Sequence, residues 1–322
     1  MVDDEEISDL CFRHLLYATI IVACTHLNKT VLHPNNIHAA PYHFPALIKA
    51  HPPLKEFVHT GKSGQDTVNF AEASAVLHLN KALLKHHYGL TDWNIPPHYL
   101  CPPVPGRADY IHHLNDLLTD AEKQKGIKGL DIGVGANCIY PILGSRIYQW
   151  KMVGADTDTT AVASAKANVK ASEVLKDTIE IRYQPVKANI FEGVIQNNEY
   201  FNVSMCNPPF HPSEEEAVKG TLRKLRNLGD TAPQQTKKEI MLNFGGQANE
   251  LWCNGGEALF IKRMIKQSVP FKMQVGWFTT LVSKKEHLPP IYKQLDKLKA
   301  KHTTIAMEQG NKQSRIVAWR FL

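Results

Sequence analysis

The chain has 322 residues, 43% hydrophobic and 21% charged, with a formal net charge of +6. That balance is ordinary for a globular protein, and the length allows one large domain or a core with an appended module. No run reaches the roughly 18 apolar residues of a membrane span, and the acidic start Asp3-Asp4-Glu5-Glu6 is the opposite of a secretory leader, so a cytoplasmic protein without a membrane partner is expected.

Residues 1–31 read as an unassigned extension, an acidic start followed by an apolar stretch. Residues 32–124 read as an N-terminal, mostly helical module. Within it, residues 33–62 are rich in Pro and His and are expected to be loops with one short helix. Apolar positions Phe70, Ala73, Val76, Leu77, Leu83 and Leu84 predict a helix over 70–87. After the prolines at 96–97 and 102–105, Tyr110, Ile111, Leu114, Leu117 and Leu118 predict a second helix over 107–123. Thirteen of the 16 histidines fall in the first 113 residues. The adjacent pairs His86-His87 and His112-His113 point to different helix faces, so no metal site is expected. The six cysteines are scattered without a C-x-x-C pair and read as reduced thiols.

From residue 125 to 322 the pattern alternates between strand and helix. Strands are predicted at 129–133, 150–156, 179–183 and 200–206, with helices at 139–144 and 160–172. Residues 211–250 are polar and irregular, too long for an ordinary connection. A helix at 257–268 and closing strands at 273–282, 303–308 and 315–321 complete the chain. This order predicts an α/β fold, a doubly wound seven-stranded sheet with an antiparallel last strand.

Three features carry chemistry. Asp131-Ile132-Gly133-Val134-Gly135 is a D-x-G-x-G turn after the first strand, where glycine lets backbone approach a ligand closely. It lacks the third glycine of the nicotinamide fingerprint, which disfavours hydride transfer. Asp156, ending the second strand, can accept the hydroxyls of a ribose, while Asp158 fits the N-cap of the following helix better. Asn207-Pro208-Pro209-Phe210 follows the fourth strand at its carboxyl end, where ligands of open α/β sheets bind. The Asn207 side-chain carbonyl and the Pro208 backbone carbonyl can each accept one hydrogen of a planar NH₂ group. This draws the nitrogen lone pair out of conjugation. Proline stiffens the loop, and Phe210 offers a face for a flipped or unpaired base. These features imply methyl transfer from S-adenosylmethionine to a conjugated amine. The loop alone does not choose among adenine in RNA, adenine in DNA and a protein glutamine.

Longer strings make the choice narrower. Leu100 to His113, Leu130 to Pro141 and Cys206 to His211, with Arg226 to Gly229, Leu242 to Gln247, Glu250 to Cys253, Gly255 to Glu257, Gln309-Gly310, Ser314-Arg315 and Ala318-Trp319, together resemble the bacterial ribosomal RNA large-subunit methyltransferase F family. That family is related to the methyltransferase-like enzymes that act on U6 small nuclear RNA. The resemblance covers residue 32 to the end. It implies a Rossmann-like class I methyltransferase that binds S-adenosylmethionine and methylates the N6 of an adenine in 23S rRNA, with free rRNA or a pre-ribosomal particle as partner; the oligomeric state is not set by the sequence, and a monomer is the expectation.

It also implies roles. Arg107 pairs with the cofactor carboxylate, Asp131, Gly133 and Gly135 form the cofactor turn, Asn137 bonds the methionine end, Asp156 holds the ribose, and Asn207 lies near both cofactor and target amine. Lys219, Arg223, Lys224 and Arg226 after the catalytic loop form a basic cluster suited to phosphates, and Lys312 and Arg315 add charge at the far end. Relatives usually open with a basic His-Pro-Arg-Asn-Lys/Arg-His segment. Here Asn35 and Ile37 stand at the two basic positions of His33 to His38, so two phosphate-pairing charges are missing. A non-catalytic RNA-binding assembly factor is the alternative of another class, and the intact cofactor motifs weigh against it.

Overall fold

The computed structural model describes residues 32–61, 64–209, 255–309 and 312–321. At its start, a 3-10 turn, Ile37–Ala39, and helix α1, Phe44–Ala50, lead through a second 3-10 helix, Pro52–Phe57, into a small antiparallel hairpin. The hairpin pairs β1, Val58–Thr60, with β2, Asp66–Val68. Within residues 33–61, two 3-10 helices and a strand therefore accompany the one short helix expected over 33–62, because three-residue strands carry too little alternation to be read.

Helix α2, Ala73–Tyr88, ends on Gly89 in the left-handed conformation (φ 68°), a common helix stop. The single helix expected over 107–123 is two: α3, Val104–Leu117, and α4, Asp120–Lys125. Leu118 is extended, and Thr119 caps α4 through a reciprocal box with Glu122. That box satisfies two amide donors a continuous helix would have satisfied itself.

The sheet follows with β3, Lys128–Ile132; β4, Lys151–Asp156; β5, Ile179–Tyr183; β6, Phe201–Cys206; β7, Val275–Val282; β8, Lys301–Gln309; and β9, Lys312–Arg320. Its strand order is β5-β4-β3-β6-β7-β9-β8. The first five strands in that order run parallel, and β9 is antiparallel to both neighbours. This is the doubly wound seven-stranded sheet with an antiparallel last strand that the sequence predicts. Helices α5, Ile139–Tyr148; α6, Thr159–Ala171; α7, Glu173–Lys176; α8, Gly256–Ser268; and α9, Leu288–Lys297, complete it.

Two cores sandwich the sheet. One joins the N-terminal helices to a sheet face, with Leu83, Trp93, Tyr110, Ile142 and Trp150 fully buried. The other lies under α8 and α9, with Phe191, Ile261, Phe278, Leu295 and Trp319. The N-terminal helices thus serve as one covering layer of the sheet. The stretch from His33 fastens that layer to α3. The His33 amide and Asn36 Nδ2 both donate to Asp109 Oδ1, at 2.6 and 3.1 Å, and Asn36 Nδ2 also reaches the Pro105 carbonyl at 3.0 Å. His38 Nε2 lies 2.7 Å from the Tyr88 hydroxyl. Asn35 and Ile37, between these anchors, face solvent. No helix among the described residues is long and apolar enough to cross a membrane.

Candidate active site

A cavity of about 250 Å³ opens at the carboxyl ends of β3, β4 and β6, at the point where the strand order reverses between β3 and β6. Crevices of this kind are the ligand sites of open α/β sheets. Of the residues singled out from the sequence, Arg107, Gly133, Gly135, Asn137, Asp156 and Asn207 all line it, and Pro209 joins them. Asp131 lies beneath, 1% exposed.

The glycine turn is shaped by backbone need. Gly133 and Gly135 have φ of 78° and 64°, a region L-residues rarely adopt. A Cβ on Gly133 would meet nothing within 4 Å, so the space over it is open to a ligand. The Gly135 amide donates to Asp156 Oδ2 at 2.9 Å, and the other oxygen of Asp156 accepts from the Asp158 amide at 3.0 Å. Asp158 takes the helix cap, accepting from the Thr160 and Ala161 amides. Burial raises the Asp156 carboxyl above its ordinary pKa, with these amides opposing the shift. The loop after β3 is held from behind. Trp93 Nε1 donates to the Asn137 carbonyl at 2.8 Å, and Asn168 Nδ2 donates to the Ala136 carbonyl at 3.1 Å. The Asn137 side chain accepts from the amide of Ile139, the first residue of α5, at 3.0 Å.

Arg107 reaches the cavity from the first turn of α3. It donates to the Tyr140 hydroxyl at 2.7 Å, and its guanidinium sits 5.4 Å from that ring's centroid. This hydrogen bond is to a neutral phenol, and among the described residues no carboxylate forms an ion pair with the guanidinium. Asp131 is the opposite case. Both its oxygens are buried without a hydrogen-bond partner. Burial, then the nearby Asp156, pushes its pKa to about 8, with Arg107 opposing. Asn207 Oδ1 is likewise buried and unpartnered. An unpaired buried acceptor costs about 1–3 kcal/mol, and of these atoms the Asn207 oxygen belongs to a residue that lines the cavity, where a donor on a ligand could satisfy it.

The sequence reading missed part of the lining. Tyr140, Gln184, Phe260 and Arg263 also face the cavity. Arg263 Nη2 donates to the Ala188 carbonyl and ties α8 to the loop after β5. Only Tyr140 carried a signal, inside the string that ends at Pro141. Phe210, Lys219, Arg223, Lys224 and Arg226 lie outside the described residues, as does the side chain of Lys312. Arg315 pairs with Val282 at the carboxyl end of β7, on the cavity's edge of the sheet. Elsewhere, His33, His113 and Asp116 bring ligand-type atoms within 4.8 Å of one another. His33 Nδ1 accepts from the Asn35 amide, which puts its proton on Nε2, toward Asp116 Oδ2 at 2.9 Å. That tautomer makes the contact a hydrogen-bonded clasp.

A family model described as RNA methyltransferase matches residues 26–322. The chain belongs to this family. It is 60% identical over 290 residues to ribosomal RNA large subunit methyltransferase F of Christiangramia forsetii, covering 90% of this chain and 100% of that one. The protein of the same name from Pseudomonas entomophila is 51% identical over 300 residues, covering 91% and 94%. Among solved structures, the human METTL16 catalytic domain in complex with MAT2A 3'UTR hairpin 6 superposes with a TM-score of 0.75 at 30% identity, covering 91% of this chain and 98% of that one. The N-terminal domain of human METTL16 in complex with SAH gives 0.71 at 28%, covering 91% and 99%. The fold of the family member described here is that of the class I methyltransferases.

Proposed function

We propose that the protein transfers a methyl group from S-adenosylmethionine to the N6 of a specific adenine in 23S ribosomal RNA. The observation that carries this reading is the meeting, in one cavity, of the unpaired Asn207 Oδ1 with Arg107, Gly133 and Asp156. The names of the bacterial relatives support the choice of RNA.

The residues fit the cofactor. The open face over Gly133 admits a flat or extended ligand, Asp156 offers carboxylate oxygens to a ribose, and Arg107 offers its guanidinium to a carboxylate. When bound, S-adenosylmethionine supplies an electrophilic methyl on a sulfonium. Asn207 Oδ1 accepts one hydrogen of the adenine amine, and the Pro208 carbonyl accepts the other. The two acceptors localise the lone pair and fix its direction, which is a positioning effect. The amine's extra proton leaves after transfer, so a strong base is not needed. Phe210 stacks on the target base, and Arg223, Lys224, Arg226, Lys312 and Arg315 bind phosphates. The protein acts as a cytoplasmic monomer on rRNA or an assembling particle.

The test is incubation with labelled S-adenosylmethionine and unmodified 23S rRNA, followed by nucleoside analysis. Label in N6-methyladenosine, lost by about 100-fold or more in Asn207→Ala, is the expected result. Label in DNA or in protein glutamine, with none in RNA, overturns the choice of substrate. RNA binding without any transfer overturns the enzyme reading.

A further inference from the structure

The strands around Asn207 are not evenly paired. On one side β6 follows β3 to its end, with Asp131 opposite Met205 and Ile132 opposite Cys206. On the other side its ladder with β7 stops at Ser204, opposite Phe278. Side-chain hydrogen bonds add to the ladder at this end of β6.

Two side chains supply them. Thr279 Oγ1 donates to the Ser204 carbonyl at 2.8 Å. The Tyr110 hydroxyl lies 2.7 Å from Thr279 Oγ1 and forms a further hydrogen bond with the Cys206 backbone. The directions are fixed by counting protons. Thr279 has one hydrogen and gives it to Ser204, so Tyr110 donates to Thr279. The phenol oxygen then accepts the Cys206 amide. Tyr110 and Thr279 are both fully buried, so water does not compete for this relay.

Tyr110 sits one turn after Arg107 on α3. Its ring meets Tyr140 edge-on, with centroids 5.4 Å apart, and Tyr140 in turn accepts from Arg107. A continuous path therefore runs from Arg107 through Tyr140 and Tyr110 to Cys206, the residue before Asn207. We propose that Tyr110 is a positioning residue for methyl transfer: its hydroxyl ties the end of β6 to α3 and holds Asn207 at a fixed offset from Arg107. This rests on the reading of Asn207 as the acceptor for the target amine.

The test is Tyr110→Phe in the full chain, which removes the hydroxyl and keeps the ring. The expected result is a fall in kcat of about 10- to 100-fold. KM for S-adenosylmethionine and the calorimetric affinity for S-adenosylhomocysteine stay within about threefold, since the cofactor wall is intact. Faster hydrogen exchange in a peptide covering residues 204–209 accompanies the loss. Thr279→Val breaks the relay from its other end and gives the same split, while Thr279→Ser keeps the hydroxyl and keeps wild-type kcat. A Tyr110→Phe enzyme with lower Tm but unchanged kcat overturns the proposal, as does an equal loss of kcat in Thr279→Ser. If Tyr110→Phe does not fold, the Thr279→Val and Thr279→Ser pair decides. Wild-type protein that methylates no RNA adenine refutes the functional reading itself, whereas active wild type with an unaffected variant refutes the positioning role alone.

Discussion

Asp156 holds the glycine turn that faces it: its Oδ2 accepts the Gly135 amide at 2.9 Å while its Oδ1 accepts the Asp158 amide at 3.0 Å. One carboxylate therefore fixes both the turn after β3 and the end of β4, and it still lines the cavity. Asn cannot do both jobs, because one of its two polar ends is a donor and would oppose an amide N–H. Asp156→Asn is expected to weaken S-adenosylhomocysteine binding by about 10- to 100-fold, the cost of one charge-assisted hydrogen bond. Calorimetry at constant pH reads this directly. Unchanged affinity in a folded variant removes Asp156 from the cofactor site.

The unpartnered Oδ1 of Asn207 makes a second prediction that depends on pH. In Asn207→Asp the neutral acid keeps a carbonyl acceptor beside its O–H, as the amide does beside its NH₂, while the ionised form is the stronger acceptor, and burial raises the pKa of such a group. The ratio of variant to wild-type rate should climb as pH rises through that pKa. At low pH the neutral acid is the weaker acceptor of the two forms, so a rise with pH reports hydrogen-bond acceptance by this side chain. Single-turnover rates across pH 5.5 to 9 provide the profile (roughly the range spanned by perturbed carboxylates). A ratio independent of pH shows that Asn207 does not act as an acceptor in the transition state.

Much of this site was legible because its signals are local. The D-x-G-x-G turn, the acid ending β4 and the Asn-Pro-Pro-Phe loop each sit at the end of a buried strand, and alternation of strand and helix brings such ends to one edge. Even the division of labour between Asp156 and Asp158 follows from capping preference. What escaped was either masked locally or set by tertiary contact. The break between α3 and α4 is hidden because Leu117 and Leu118 continue the apolar rhythm, while the Thr119–Glu122 box lies inside it. Helix α9 was not expected; it begins with Leu288 followed by two prolines, and proline is welcome in a first helical turn although it disrupts a helix interior. Arg263 and Gln184 reach the cavity from elements 79 positions apart, a meeting no spacing rule foretells. The Tyr110–Thr279 bond spans 169 positions and is invisible for the same reason.

Asp131 should leave a signature in stability without any ligand. Its pKa is about 8 in the fold, raised first by burial and then by Asp156, against an ordinary aspartate near 3.9 when unfolded. Between these values the folded protein holds a proton that the unfolded chain has released, so stability falls as pH rises, by at most about 1.4 kcal/mol per unit. His38 and His112 act oppositely. Burial lowers both to about 4, so the unfolded chain takes up protons below about pH 6.5, and stability from these groups is lost as pH falls. His51 is lowered to about 4 as well, and Asp156 is raised by burial as Asp131 is, so the maximum should lie near neutrality, and Asp131→Asn should flatten the alkaline side. Urea midpoints of both proteins from pH 5 to 9 (roughly the window between these pKa values) show it. Parallel curves above pH 7 (about where the histidines have finished titrating) would mean that Asp131 is ionised in the fold.

The last prediction concerns the missing charges near the start. In the His33–His38 stretch, His33, Asn36 and His38 are buried and bound to Asp109 and Tyr88. These positions hold the chain against α3 and α2. Asn35 and Ile37, where relatives of the resembled family carry basic residues, are exposed, Ile37 by 51%. The fastening thus rests on the buried residues, and the exposed positions between them can change charge without loosening it. Asn35→Arg with Ile37→Arg should leave Tm nearly unchanged, because exposed substitutions usually shift stability by less than about 0.5 kcal/mol. Binding of an rRNA fragment should tighten. The plot of log affinity against log salt should steepen by about 0.7 to 0.9 for each new phosphate contact. A tighter complex with an unchanged slope would point to contacts other than phosphates. No change in either places the RNA away from this segment and shifts the grip toward the rim that carries Arg315.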